Sequence, residues 1–172
     1  MSGSSASNSN ASNSSAEEES GSMMEGCEGG PLALPIAGCT PTPLTLSGDF
    51  GQDCVDRINQ FRWECQCLPP LQRWPDAESC TDEQSMNDHD SQVPHGNFQA
   101  CNEWAQNTCP DWPSEEQIIN GCLQLMWDEG PGEPFEAHGH YINMSSTEYV
   151  KVACGRFDSG AAGIWSNQNF SN

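Results

Sequence analysis

Positive charge is almost missing from this chain. Its 172 residues carry five Lys and Arg against 25 Asp and Glu, a formal net charge of −20, and Lys151 is the sole lysine. Such a surface repels phosphate backbones and anionic bilayers, so nucleic acid and bare membrane are excluded as partners, while cationic partners and divalent metals stay open. Long apolar runs are missing too. No transmembrane segment is expected, and no apolar signal-peptide core precedes the folded part. There is no CxxC pair and no Cys/His cluster at zinc-finger spacing; the nearest cysteines, Cys65 and Cys67, are separated by one residue. Also absent are GxSxG, HExxH, P-loop and GxGxxG signatures, which removes the common nucleophile, zincin and nucleotide chemistries.

Apolar side chains are scarcest at the front. "MSGSSASNSNASNSSAEEESGS" is nearly all Ser, Asn, Gly, Ala and Glu, too little apolar surface to offset its ordering entropy. Residues 1–25 therefore read as a disordered tether. Residues 26–50 read as a Pro/Gly-rich arm carrying Cys27 and Cys39, and 51–172 as one domain large enough for a core. With six acids before residue 51, the domain keeps 19 acids against its five bases, a net −14. The tether resembles the linker behind the lipidated cysteine of a bacterial lipoprotein. The expectation is an extracellular, cell-surface or periplasmic monomer whose signal peptide has been removed.

Cysteine, by contrast, is abundant. Cys27, Cys39, Cys54, Cys65, Cys67, Cys80, Cys101, Cys109, Cys122 and Cys154 make an even count of ten, which predicts a disulfide framework formed in an oxidising compartment. Their pairing is not readable from spacing.

Periodicity predicts a helix over 53–64, with Val55, Ile58, Arg62 and Cys65 on one face. A polar, weakly helical stretch follows over 76–92, anchored by Cys80. Its Asp82, Glu83, Asp88 and Asp90 do not match a calcium loop and read as a solvated face. Residues 95–109 read as a short helix with Phe98, Cys101 and Ala105 inward. The clearest helix is 114–129. Ser114 and Gln117 form its capping box, Gly130 and Pro131 end it, and Ile118, Cys122, Leu125 and Met126 form its apolar stripe. Glu129 falls on that stripe, so its carboxylate needs a partner. "HYINMSS" and "EYVKVACGRF" read as a hairpin with Val150, Val152 and Cys154 on one face, and "GIWSNQNF" as a third strand. Under that strand reading His138 and His140 share a face. Helices ahead of a small antiparallel sheet make an α+β layered domain.

Five segments, in order, carry a family resemblance. "INQFR" (58–62) resembles an Asn-x-x-Arg helix motif, and "LPPLQRW" (68–74) the Pro-Pro-Leu-x-Trp after it. "LQLMWDE" (123–129) resembles a Trp-x-x-Glu helix end with one residue fewer between Trp127 and Glu129. "GHYINM" (139–144) is similar to a Gly-His-Tyr strand signature and "VACG" (152–155) to a Cys-Gly strand. All belong to the CAP superfamily of cysteine-rich secretory proteins, venom antigens and plant pathogenesis-related proteins. The resemblance implies a three-layer α-β-α sandwich with a small antiparallel sheet, held by disulfides. It also implies a central cleft with two His and two Glu: His140 and Glu129 by motif, His95 and Glu103 as candidates for the other two. His89 competes for the place of His95, and Asn102-Glu103-Trp104 departs from the family's Gly-Glu-Asn. His138 and Tyr141 would stand behind the cleft.

Two imidazoles and two carboxylates suit a divalent metal, zinc first, magnesium or calcium next. The function implied is a secreted or surface-tethered binding domain whose groove takes a lipid, glycan or protein ligand. The alternatives are a metal-dependent hydrolase using the same cleft and a purely structural or adhesive surface protein.

Overall fold

The computed structural model describes Met1 and residues 27–172; the tether read over 1–25 lies, apart from Met1, outside the described residues. Helix α1 (Phe50–Gln60) starts where the Asp49 carboxylate accepts from the Gln52 N–H, and runs on into a π-helical turn, Phe61–Cys65. A two-residue strand β1 (Gln72–Arg73) and helix α2 (Pro75–Ser91) follow, then strand β2 (Ala105–Trp112). Next comes one helical rod: α3 (Glu115–Gln117), a π-helical turn (Ile118–Cys122) and α4 (Leu123–Asp128). Helix α5 (Phe135–Ser145) and strands β3 (Lys151–Asp158) and β4 (Ile164–Ser171) complete the fold.

The sheet order is β1-β3-β4-β2. Strands β2, β4 and β3 pair antiparallel, and only the short β1 lies parallel to its neighbour β3. Helices cover both faces, as the α-β-α expectation requires. On one face Val152, Cys154, Ile164 and Phe170 join Val55, Ile58, Ile118, Leu123 and Met144 in the apolar core. On the other, α2 lies against the alternate residues of β4: Ser85 Oγ accepts from the Asn167 N–H, Asp88 Oδ2 from Asn167 Nδ2, and Thr81 Oγ1 from Asn169 Nδ2. All eight residues of β4 are buried as a result. At Gly155 the α2 backbone crosses so closely that a Cβ would stand 2.4 Å from Thr81 C and Asp82 N.

Five disulfides form: Cys27–Cys67, Cys39–Cys65, Cys54–Cys154, Cys80–Cys101 and Cys109–Cys122. The first two hold the segment before Phe50 against the end of the π-helical turn and the residues just after it. Arg57 holds it again, donating to the Pro41 and Thr42 carbonyls.

Four readings of the sequence are corrected. Residues 95–104 are turns rather than a helix, because His95, Gln99 and Asn102 all take positive φ; Ala105 onward is strand. "FEAHGHYINMS" is helix α5, not a strand, so no hairpin joins it to β3. A short apolar run supports either period, and burial of Tyr141 and Met144 on one helical side decides it. Leu125 is 60 % exposed, since the π-helical turn at Ile118–Cys122 shifts the phase of the stripe that follows. Asp88 is not solvated. Ala77, Thr81, Gln84, Ser85 and Asp88 form a buried stripe at helical spacing that is mostly polar.

Candidate binding cleft

The resemblance motifs of α1 turn out to be fasteners. Asn59 clamps the Leu71 backbone, donating to its carbonyl and accepting its N–H at 2.9 and 2.7 Å. Arg62, 1 % exposed, donates through Nε to the Pro69 carbonyl and through Nη1 to the Met144 and Ser146 carbonyls at 2.7 and 2.8 Å. It thereby caps the C-terminal end of α5, where a cation is favoured. Tyr141 is a core residue: its ring meets Trp127 edge-on and its hydroxyl donates to Gln66 Oε1 at 2.6 Å.

Helix geometry separates the two histidines of α5, because residues two apart on an α-helix point about 200° apart. His138 Nδ1 faces the Glu129 and Gly130 carbonyls at 2.7 and 2.9 Å. Two carbonyls require an N–H there, so His138 ties α5 to the end of α4. His140 Nδ1 stands 2.5 Å from Glu129 Oε1, while Glu129 Oε2 accepts from the His140 and Tyr141 N–H groups. The partner that Glu129 needed is His140.

Across the cleft, His95 Nδ1 lies 2.9 Å from Gln106 Oε1. That amide is oriented by its other end, whose Nε2 donates to Gln84 Oε1 and Asn169 Oδ1. His95 therefore donates from Nδ1, as His140 does, and both rings keep Nε2 as the second nitrogen. A partner on Nδ1 that sets tautomer and orientation is the arrangement found behind metal-binding histidines.

His95 and His140 line one cavity of about 600 Å³, together with Gln106, Asn143, Glu136 and a set of aromatic side chains. Trp104, Phe135 and Phe98 on its wall are 64 %, 55 % and 42 % exposed. Glu129 stands behind His140. Glu103 is held apart: Oε1 accepts from Gln84 Nε2 and the Gln99 N–H, and Oε2 from the Cys101 N–H. It lines a second depression of about 390 Å³ with Gln99, Asn102 and Trp104, so Trp104 stands at the boundary of both. His89 lies elsewhere, against Phe157 and Trp165. Among the described residues, no three His, Cys, Asp or Glu side chains converge in a way that could hold a metal ion. The donor set in the cleft is two imidazole nitrogens with outer partners, which fits a nitrogen-preferring ion better than an oxygen-preferring one.

Sequence reasoning missed Gln84, Gln106 and Asn169, the buried amides that orient His95. For Asn169 the only sequence signal was the polarity of "SNQN", which reads as exposed until both faces of the sheet are known to be covered; Gln84 and Gln106 stand in polar stretches with no signal of their own. Equally missed was the aromatic wall, whose members come from the turns ahead of β2, from α5 and from the segment between α5 and β3.

No protein-family model matches this chain, and no curated protein matches it. Solved structures do. It is similar to BmVAL-1 at 15 % identity and a TM-score of 0.52, over 84 % of this chain and 80 % of that one. It is similar to Na-ASP-1 at 13 % identity and a TM-score of 0.55, over 83 % of this chain and 43 % of that one. Both are venom allergen-like proteins of the CAP fold; the chain spans less than half the length of Na-ASP-1. The fold of this chain is the CAP fold.

Proposed function

We propose, with that fold as premise, that the chain is a CAP-superfamily binding domain, secreted or surface-tethered, whose ligand enters the cleft between His95 and His140. The observation that carries this reading is the pairing just described: two histidines from distant segments, each with Nδ1 engaged, line one cavity with exposed aromatic walls. Five disulfides support an oxidising location. A divalent ion, zinc before magnesium or calcium, would be held by Nε2 of His95 and His140. Glu129 and Gln106 would orient the rings from behind, and a bound ion would supply Lewis acidity and a fixed positive charge.

Calorimetry of the chelator-treated protein with zinc, calcium and magnesium tests this directly. The expected result is zinc binding at one site, lost in His140→Ala and weakened in Glu129→Gln. Equal zinc affinity in wild type and His140→Ala would remove the metal from this cleft.

A further inference from the structure

We propose that the ligand of the cleft is an organic cation, the ammonium or guanidinium group of a basic peptide segment; this rests on the cleft being the binding site. Three observations converge. First, among the described residues the only formally charged side chain in the lining is Glu136, exposed on α5, and no Lys or Arg lines the cavity. Second, much of the lining's donor capacity is already spent. His95 and His140 use their Nδ1–H groups on Gln106 and Glu129, and Asn143 Nδ2 donates to Asn107 Oδ1. With no metal ion bound, both Nε2 atoms, the Asn143 Oδ1 and the Glu136 carboxylate remain as acceptors, which match a group made of N–H donors, so the organic cation and the divalent ion are alternative occupants of the two Nε2 atoms. Third, the Trp104 and Phe135 rings are more than half exposed at the rim, and an aromatic face attracts a cation.

The rest of the molecule adds its field. All five basic residues are engaged outside the cleft. Arg57 and Arg62 are buried, Arg73 pairs with Asp49 and Glu78, Arg156 pairs with Glu115, and Lys151 sits 4.5 Å over the Trp74 ring. A net charge of −20 therefore draws cations toward a cleft with no repelling group inside it. A lipid tail would leave the imidazoles and Glu136 unpaired, and an acidic peptide would meet Glu136 and that field.

The test is titration of the chelator-treated full chain with a tetralysine and a tetraglutamate peptide, followed by heteronuclear NMR shifts and calorimetry. The expected result is saturable tetralysine binding that moves the Trp104 indole signal, with none for tetraglutamate. Trp104→Ala and Glu136→Gln should each weaken it by about three- to tenfold. Glu83→Gln, an exposed acid on α2 behind the sheet, should leave it unchanged. If Glu83→Gln weakens binding as much as Glu136→Gln, the peptide is adhering to bulk acidity and the proposal fails. No tetralysine binding, or none sensitive to Trp104→Ala, also overturns it. Zinc binding in the same protein, with its His140→Ala control, reports on the cleft independently, so either reading can fall while the other stands.

Discussion

Replacing Arg62 by methionine removes the guanidinium while keeping an unbranched apolar stem. In the folded protein that guanidinium makes three hydrogen bonds to carbonyls, two of them at the end of α5. Hydrogen bonds from a charged donor contribute ~2 kcal/mol each, so the gross loss is ~6 kcal/mol. Against it stands the cost of burial, which pushes the Arg62 pKa down to about 10. The methionine variant no longer bears that desolvation, which offsets part of the loss. The bonds win, and Arg62→Met should destabilise the domain by ~3 kcal/mol. Guanidinium chloride unfolding with the disulfides intact measures it, read as a lower midpoint at unchanged slope. Arg62→Lys should recover only part of the loss, because one ammonium cannot reproduce the fork. A methionine variant within ~1 kcal/mol of wild type would refute the claim that Arg62 fastens α1 to α5.

Three further outcomes are expected. Asp49 has its carboxyl held below the ordinary value chiefly by the Arg73 hydrogen bond, so its stabilisation is present above pH ~3.9 and is lost as pH falls through the lower folded value. Asp49→Asn keeps the helix cap, so it should cost under ~1 kcal/mol near neutrality, a deficit that closes in acid; melting curves from pH 7 to 2 would show it. Gly155→Ala should lose ~3 kcal/mol or fail to fold, because its Cβ meets α2 backbone at 2.4 Å; a neutral denaturation result would contradict the close approach. Removing Cys54–Cys154, which spans 100 residues, should cost ~4 kcal/mol and more than removing Cys109–Cys122, which spans 13. The reverse order would show that chain entropy does not rank these bridges.

The helices most legible in the sequence were those with caps and apolar stripes. The rod opening at Ser114 was read from its cap; the first helix was read over 53–64 from its apolar stripe alone, and the Asp49 carboxylate, accepting from Gln52 N–H, starts it earlier, at Phe50. Strand β3 was legible from the alternation of Val150, Val152 and Cys154, and β4 as a closing strand-like segment after it. The same rules failed at 135–145, since "HYIN" is too short and mixed for period to decide, and at 95–104, where three non-glycine residues adopt positive φ. They failed again on α2, whose inward face is Thr81, Gln84, Ser85 and Asp88. Burying a polar stripe is affordable only opposite polar partners, and those partners lie some eighty residues further along, in β4.

By itself the sequence determined the charge, the even cysteine count, the order of the five motifs and the need of Glu129 for a partner. These are properties of composition and local spacing, which the chain carries before it folds. Tertiary structure alone decided which cysteines pair and which face of α2 is inside, and it supplied the physical reason for the choice between two neighbouring histidines that the motif resemblance had already made. Helical geometry turned His138 toward the carbonyls at the end of α4 and set His140 against Glu129. His95 was brought to the same cavity by a strand and an amide network that no local pattern announces. Each of those outcomes depends on contacts between segments far apart in the chain, and only packing supplies them.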